Sequence, residues 1–211
     1  MDAYQTEEQQ VEALKSWWKE NGRSVIIGVV VGVSAIMGWK AWQNQIHTQA
    51  VQASNIYEQL LAANDKKEGV AVSKLSEQLI ENYGDTTYAE YATLFLVKQE
   101  FLEGETGKAK EQLKALVGKS KQKDIVHLAR IRLAQLMLDE NNPAGVLQLL
   151  SSVDSGSFSA LYDGLIGDAH VALGENGKAR QAYRKVLLKP GQGNGLIQLK
   201  LDNLGPGDLV G

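Results

Sequence analysis

Three histidines, two pairs of acids and two lysine-bearing glycine turns are the residues of this chain whose types could do chemistry. Histidine is the side chain whose charge changes near neutral pH and the commonest metal ligand. His47, His127 and His170 are far apart in the chain, however, and no ligand spacing surrounds any of them. His127 and His170 fall within helical patterns at positions where an ordinary, partly buried histidine is the expected reading. Asp139-Glu140 and Asp163/Asp168 are paired only in sequence and occupy polar faces or turns, whereas acid–base work needs two carboxyls converging on one reacting group. The hexapeptides Gly104-Glu-Thr-Gly-Lys-Ala109 and Gly174-Glu-Asn-Gly-Lys-Ala179 resemble a phosphate loop superficially. A phosphate loop follows a strand and carries Gly-Lys-Ser or Gly-Lys-Thr; these turns follow helical patterns and end in Lys-Ala. The residues point to no catalytic site, no metal and no cofactor, and to a non-enzymatic protein.

The elements that would position any site begin with an apolar run. Residues 24–39, SVIIGVVVGVSAIMGW, contain no charge, and Arg23 and Lys40 close the run. Sixteen helical residues span about 24 Å, and extension to Trp42 gives about 28 Å, close to a hydrocarbon core of about 30 Å if Lys40 reaches the headgroups. Trp17 and Trp18 on one side, and Trp39 and Trp42 on the other, are interface anchors, and they are all four tryptophans of the chain. A core helix of a globular protein would not gather every tryptophan around one Val/Ile/Gly run. A cleaved signal peptide is disfavoured by the acids Asp2, Glu7, Glu8, Glu12 and Glu20 ahead of the run, and by the absence of a nearby small-residue cleavage pattern. Lys15, Lys19 and Arg23 precede the span, whereas after Lys40 the next basic residue is Lys66. The positive-inside rule then puts the N-terminus in the cytoplasm and the rest of the chain outside it. Gly28, Gly32, Ala35 and Gly38 make one small-residue face, open to close approach by another membrane helix. Before the span, Thr6 and Gln9 form a capping-box pattern, followed by Val11, Leu14, Trp17 and Trp18, which predicts a short amphipathic helix broken at Asn21-Gly22.

Beyond the span lies enough chain for one domain with a real core. There is no cysteine, so no disulfide or thiol contributes, and the formal charge of the whole chain is −3. Nucleic acid is not a partner: the short run Lys119-Ser-Lys-Gln-Lys123 is followed by Asp124 and reads as a solvated loop between helices. Strand alternation never persists, and helical patterns recur. The two glycine hexapeptides lie 70 residues apart, with Asp139-Glu-Asn-Asn-Pro-Ala144 midway, 35 from each. Each turn sits between helical patterns, at 87–102, 125–138 and 158–173 before it and from Ala109, Val146 and Ala179 after it; the middle unit fits better if its second helix slips by about two residues. A period near 35 built from helix, turn and helix is the tetratricopeptide signature. Gly104 and Gly174 suit a left-handed helix cap. Ala109 and Ala179 are small where the second helix crosses the first, and Leu113 and Tyr183 fill the groove. A further pair is predicted ahead of these, at about 43–63 and 70–82 with Asn64-Asp65 in its turn, its first helix continuing from the span. After Pro190, Gly191, Gly193 and Gly195 loosen the chain; Leu196, Leu199, Leu201 and Leu204 then make a capping helix. The fold class is therefore all-α, with one N-terminal transmembrane helix and an α-solenoid of tetratricopeptide-like hairpins: tail 1–23, span 24–42, repeat domain 43–204 and flexible tail 205–211.

The residues Gln10-Val-Glu-Ala-Leu-Lys-Ser-Trp-Trp-Lys-Glu-Asn-Gly22, the segment from Gly28 to Gly38-Trp-Lys-Ala-Trp-Gln43, and Gln198-Leu-Lys-Leu-Asp-Asn-Leu204 resemble the YfgM family of Gram-negative inner-membrane proteins, ancillary subunits of the Sec translocon. The resemblance runs over essentially the whole chain, with its specific part at the front; this sequence adds residues 205–211 after the family's ending. It implies an inner-membrane scaffold with its C-terminal domain in the periplasm. Its implied partners are the SecYEG translocon, a periplasmic chaperone of the PpiD type and secreted polypeptides, which the scaffold helps pass to chaperones. Read from the residues alone, a membrane-tethered repeat adaptor for outer-membrane assembly or cell division remains the alternative. In tetratricopeptide hairpins the first helix of each pair lines the binding side, which makes Tyr91, Lys98, Leu128, Gln135 and Asp168 the candidate partner-binding residues; Tyr91 and Leu128 are also in place for the core.

Overall fold

The computed structural model describes residues 7–189 and 194–205. Thr6 of the capping box, Pro190 and the glycines at 191 and 193, and the tail from 206 onward lie outside the described residues. Contacts divide the chain into Met1–Gln52 and Ala53–Gly211.

The described part of the first unit belongs to α1 (Glu7–Asp65). The expected break at Asn21-Gly22 is absent. Asn21 Nδ2 donates to the Trp17 carbonyl at 3.1 Å, so its side chain lies back along the preceding helical turn. The Trp18 ring lies over Gly22, where an added Cβ would meet it at 3.2 Å. With its side chain satisfied along the helix and its glycine covered, the dipeptide does not stop the helix.

In the second unit the end of α1 pairs with α2 (Gly69–Asn82), α3 (Thr87–Leu102) with α4 (Thr106–Lys119), α5 (Lys123–Asp139) with α6 (Pro143–Leu150), and α7 (Ser159–Ala172) with α8 (Asn176–Leu187). A 3-10 turn, Gly156–Phe158, leads into α7, and α9 (Asn194–Asn203) packs on α8. One local device closes all four hairpins. In the four hairpin turns the residue at positive φ is Lys67 (60°), Gly104 (83°), Asn141 (56°) and Gly174 (74°) in turn. In each case the next amide donates back five residues: Glu68 to Ala63 at 3.0 Å, Glu105 to Glu100 at 2.7 Å, Asn142 to Met137 at 2.8 Å and Glu175 to His170 at 2.8 Å. This is the Schellman motif, in which a left-handed residue lets the chain turn back onto orphan carbonyls of the last helical turn. The glycine expectation holds at Gly104 and Gly174. The first turn, expected at Asn64-Asp65, comes slightly later, because α1 runs through Asp65 and Lys67 takes the left-handed place.

The slip in the third hairpin is visible too. Pro143 starts α6 and the Asn142 side chain accepts from the Gly145 amide at 3.1 Å. Thr86 caps α3 in the same way, from the Ala89 amide at 3.3 Å. Three successive apolar layers follow from stacking. Ala53, Leu60, Val72, Leu79 and Ala92 form the first; Val97, Leu113, Ile125, Ala129 and Leu133 the second; and Ile131, Ala134, Val146, Leu150, Tyr162 and Ala169 the third. Each layer draws on three helices, since a single hairpin has no second surface to bury its apolar face against. Ala109, Ala179 and Leu113 are fully buried, and Tyr183 is 1% exposed.

Candidate binding surfaces

In α1 the segment around residues 24–42 is buried by nothing. Ile26, Ile27, Val29, Val30, Val31, Val33, Ile36 and Met37 are all at least half exposed, and the helix is long and apolar enough to cross a membrane. A core helix would have these side chains covered, and leaving so many in water costs roughly 25 cal/mol for every Å². A bilayer is the solvent that removes the cost. Trp17 and Trp18 lie 6.4 Å apart by ring centroid, Trp39 and Trp42 5.0 Å apart, and each pair is about half exposed. At Gly28, Gly32 and Gly38 an added Cβ would meet nothing within 4 Å, so with exposed Ala35 the small face is open.

Among the repeat-domain candidates the structure brings Lys98 and Gln135 together. They line one groove of about 350 Å³ between α3 and α5, with Phe101, Arg132 and Asp139 at its edges and Val97 and Leu136 in its floor. Lys98 Nζ donates to Asn64 Oδ1 at 3.3 Å, which holds the lysine at the rim. Tyr91 is half-buried against the second apolar layer, with its ring 6.1 Å from Tyr57. Leu128 is half-buried on α5. Asp168, expected alongside the others, sits elsewhere and is already engaged. Its carboxylate takes Lys200 Nζ of α9 at 2.7 Å and the Tyr183 hydroxyl at 2.7 Å. Burial, then the Asp168 carboxylate, drives the Tyr183 pKa far above the ordinary phenol range, so this hydroxyl is a permanent donor. The expectation that placed Asp168 with Lys98 and Gln135 rested on repeat register, which does not show a capping helix reaching back to claim the carboxylate.

The repeat register holds further residues at this surface. Tyr57 on α1 stands against Tyr88, Tyr91 and Phe95 of α3, with ring centroids 5.5, 6.1 and 6.2 Å away. Burial, followed by Tyr91 and Tyr88, raises its pKa. The signal was its place one repeat ahead of Tyr91. Arg132 and Phe101 had a comparable signal, each lying one helical turn from a candidate that was named.

The histidines are accounted for by neighbours. His127 stacks on Phe158 at 4.9 Å and its Nδ1 is 2.8 Å from the Tyr162 hydroxyl. His170 Nδ1 is 2.6 Å from Glu175 Oε2. The paired acids likewise meet cations: Glu140 pairs with Lys110 and Asp163 with Lys189. Among the described residues no three His, Asp or Glu side chains come together as metal ligands.

Stacked hairpins closed by one repeated turn, a groove between their first helices and an uncovered apolar helix ahead of them define a membrane-anchored helical-repeat protein. The family described as tetratricopeptide repeat-like domain matches residues 15–206. Among curated proteins the chain is 31% identical to a protein of Aggregatibacter actinomycetemcomitans, with 94% of this chain and 97% of that one aligned. It is 28% identical to one of Haemophilus influenzae over 94% and 97%, and 27% identical to one of Escherichia coli over 97% and 99%. All three are named ancillary SecYEG translocon subunit. The chain belongs to this tetratricopeptide repeat-like family, and within it to the YfgM group that carries that name. No solved structure matches it.

Proposed function

We propose that this protein is a non-enzymatic scaffold of the inner membrane, associated with the Sec translocon. Its N-terminus is cytoplasmic and its repeat domain periplasmic, where it holds secreted polypeptides on their way to membrane-bound chaperones of the PpiD type. The observation that carries the reading is the uncovered apolar stretch of α1 joined in one chain to a groove-bearing repeat domain. Three relatives aligned over nearly their full length carry the translocon's name. The open face of Gly28, Gly32, Ala35 and Gly38 is the contact with membrane helices of the channel, and the groove with Lys98 and Gln135 is the polypeptide contact. Both rest on fit: small residues allow close helix approach, and an apolar floor with polar edges suits a peptide chain.

A photoreactive residue at Gly32 tests the first contact in intact membranes. Crosslinks to the channel's helices are expected; crosslinks confined to division or outer-membrane assembly factors would establish the adaptor alternative instead. Since the chain has no cysteine, a single Lys66→Cys introduces a unique label. Its modification by an impermeant maleimide from the periplasmic side checks the orientation, and protection there with labelling only after lysis refutes it.

A further inference from the structure

A second groove lies on the other side of the hairpins. It is a cleft of about 400 Å³ between the second helices α2 and α4, with α3 crossing beneath. Its floor is apolar: Ile80, Ala89, Leu96 and Leu116. Its edges are acidic. Glu77 and Glu81 stand one turn apart on α2, both exposed, and Glu90 rises from α3, while Lys119 is the cation among the lining residues. Ser120 donates to Glu90 Oε2 at 3.0 Å, which fixes that carboxylate at the far end. On the α4 side a buried acceptor lies behind the lining. Gln112 uses its amide to donate to Glu100 at 2.7 Å, which leaves its own Oε1 buried without a partner.

Apart from Lys119 at the end of α4, the charged groups on this rim are carboxylates, which call for a donor or a positive charge. Anionic lipid headgroups and nucleic acid would meet repulsion from Glu77 and Glu81. A basic protein segment meets the opposite: aliphatic stems of lysine or arginine can lie on the apolar floor with their charged ends at the rim. Two carboxylates one turn apart on one helix are matched by two cations one turn apart on another, with an apolar residue between them directed at the floor.

We propose that the α2–α4 groove docks a basic amphipathic helix of a partner protein, its cations on Glu77 and Glu81 and its apolar ridge on Ile80 and Leu116. This surface is separate from the groove holding Lys98 and Gln135, and it stands whether or not the translocon reading does. It gives the repeat domain two faces, so that a stable partner and a passing polypeptide need not compete.

The test uses the full-length protein in nonionic detergent and fluorescence anisotropy of a labelled helical peptide. The peptide carries two arginines one turn apart among leucines and alanines; its control has glutamates in their place. The arginine peptide should bind and the glutamate peptide should not. Glu77→Lys with Glu81→Lys should weaken binding at least tenfold. Ala115→Trp, which adds bulk at an exposed lining position without changing charge, should weaken it as much. Lys185→Glu, exposed on α8 and lining neither groove, should leave it unchanged, and unaltered far-UV circular dichroism should show that each variant is folded. Absence of binding by the arginine peptide, equal binding of both peptides, full binding by Ala115→Trp, or loss with Lys185→Glu would each overturn the assignment.

Discussion

Gly167→Ala sets two physical effects against each other, and the structure decides between them. Gly167 lies inside α7, where alanine is the better helix former by about 1 kcal/mol. On propensity alone the substitution stabilises. The Tyr183 ring of α8, however, fills the space where the new Cβ would go. That ring is 1% exposed, and its hydroxyl is bound to Asp168, which is itself held by Lys200. It has nowhere to retreat. Overpacking of this kind costs about 1–3 kcal/mol, so after the propensity gain the net loss is up to about 2 kcal/mol. For a domain of this size each kcal/mol moves the melting temperature by about 2–4 °C, which predicts a fall of several degrees. Thermal unfolding of the full-length protein in detergent, followed by far-UV circular dichroism, measures it. Gly118→Ala in α4 is the control, because an added Cβ there meets nothing within 4 Å; it should leave the melting temperature unchanged or raise it. Adding Tyr183→Leu to Gly167→Ala should cost less than the two changes separately, because the smaller side chain vacates the space. A Gly167→Ala protein that melts at or above the parent would refute the packing argument.

Leu113→Ala empties a fully buried site in the second apolar layer and should cost about 2–5 kcal/mol, seen as a lower melting temperature. Lys67→Gly relieves a left-handed non-glycine residue and should stabilise by about 1 kcal/mol, raising the melting temperature. Asp168→Ala releases Lys200 and Tyr183 together, and hydrogen exchange should speed up in α9 while α3 and α4 keep their protection. Two carboxylates give opposite pH signatures. Lys178, then His170, holds the Glu175 carboxyl below its ordinary range, so its contribution is present above the unfolded value of 4.5 and is lost as pH falls below it. Burial raises Glu100 against the opposing pull of Lys108 and Gln112, so its charged form destabilises the fold and protonation on acidification relieves it. Glu100→Gln should therefore raise the melting temperature at neutral pH by more than it does in acid, whereas Glu175→Gln should lower it at neutral pH and converge with the parent in acid.

How much was legible follows from what each feature depends on. Gly104 and Gly174 were readable as turns because the left-handed conformation penalises every other residue type, so the chemistry shows in the letter. Lys67 occupies the same conformation and could not be read, since nothing about a lysine announces it. Asn21-Gly22 carries a true turn signal, yet α1 runs straight through it. The neighbours that overrode it, the Trp17 carbonyl and the Trp18 ring, are visible only once the helix exists.

The sequence by itself determined what is local or periodic. An uncharged apolar run between tryptophans defines a membrane segment, because transfer free energy is a sum over side chains. A turn recurring near every 35 residues defines stacked hairpins, because each must bury the face its neighbour offers. Only the tertiary structure decided which polar residues meet. Lys98 and Gln135 share a groove because α3 and α5 stack side by side. Asp168 occupies the matching position in its own helix, yet Lys200 closes on it from α9, 32 residues later. The α2–α4 groove has no trace in the repeat, because its acidic rim and apolar floor come from three helices whose register sets their depth but not their charge. Periodicity reports the shape of the stack; charge and hydrogen bonding across it depend on contacts that do not repeat.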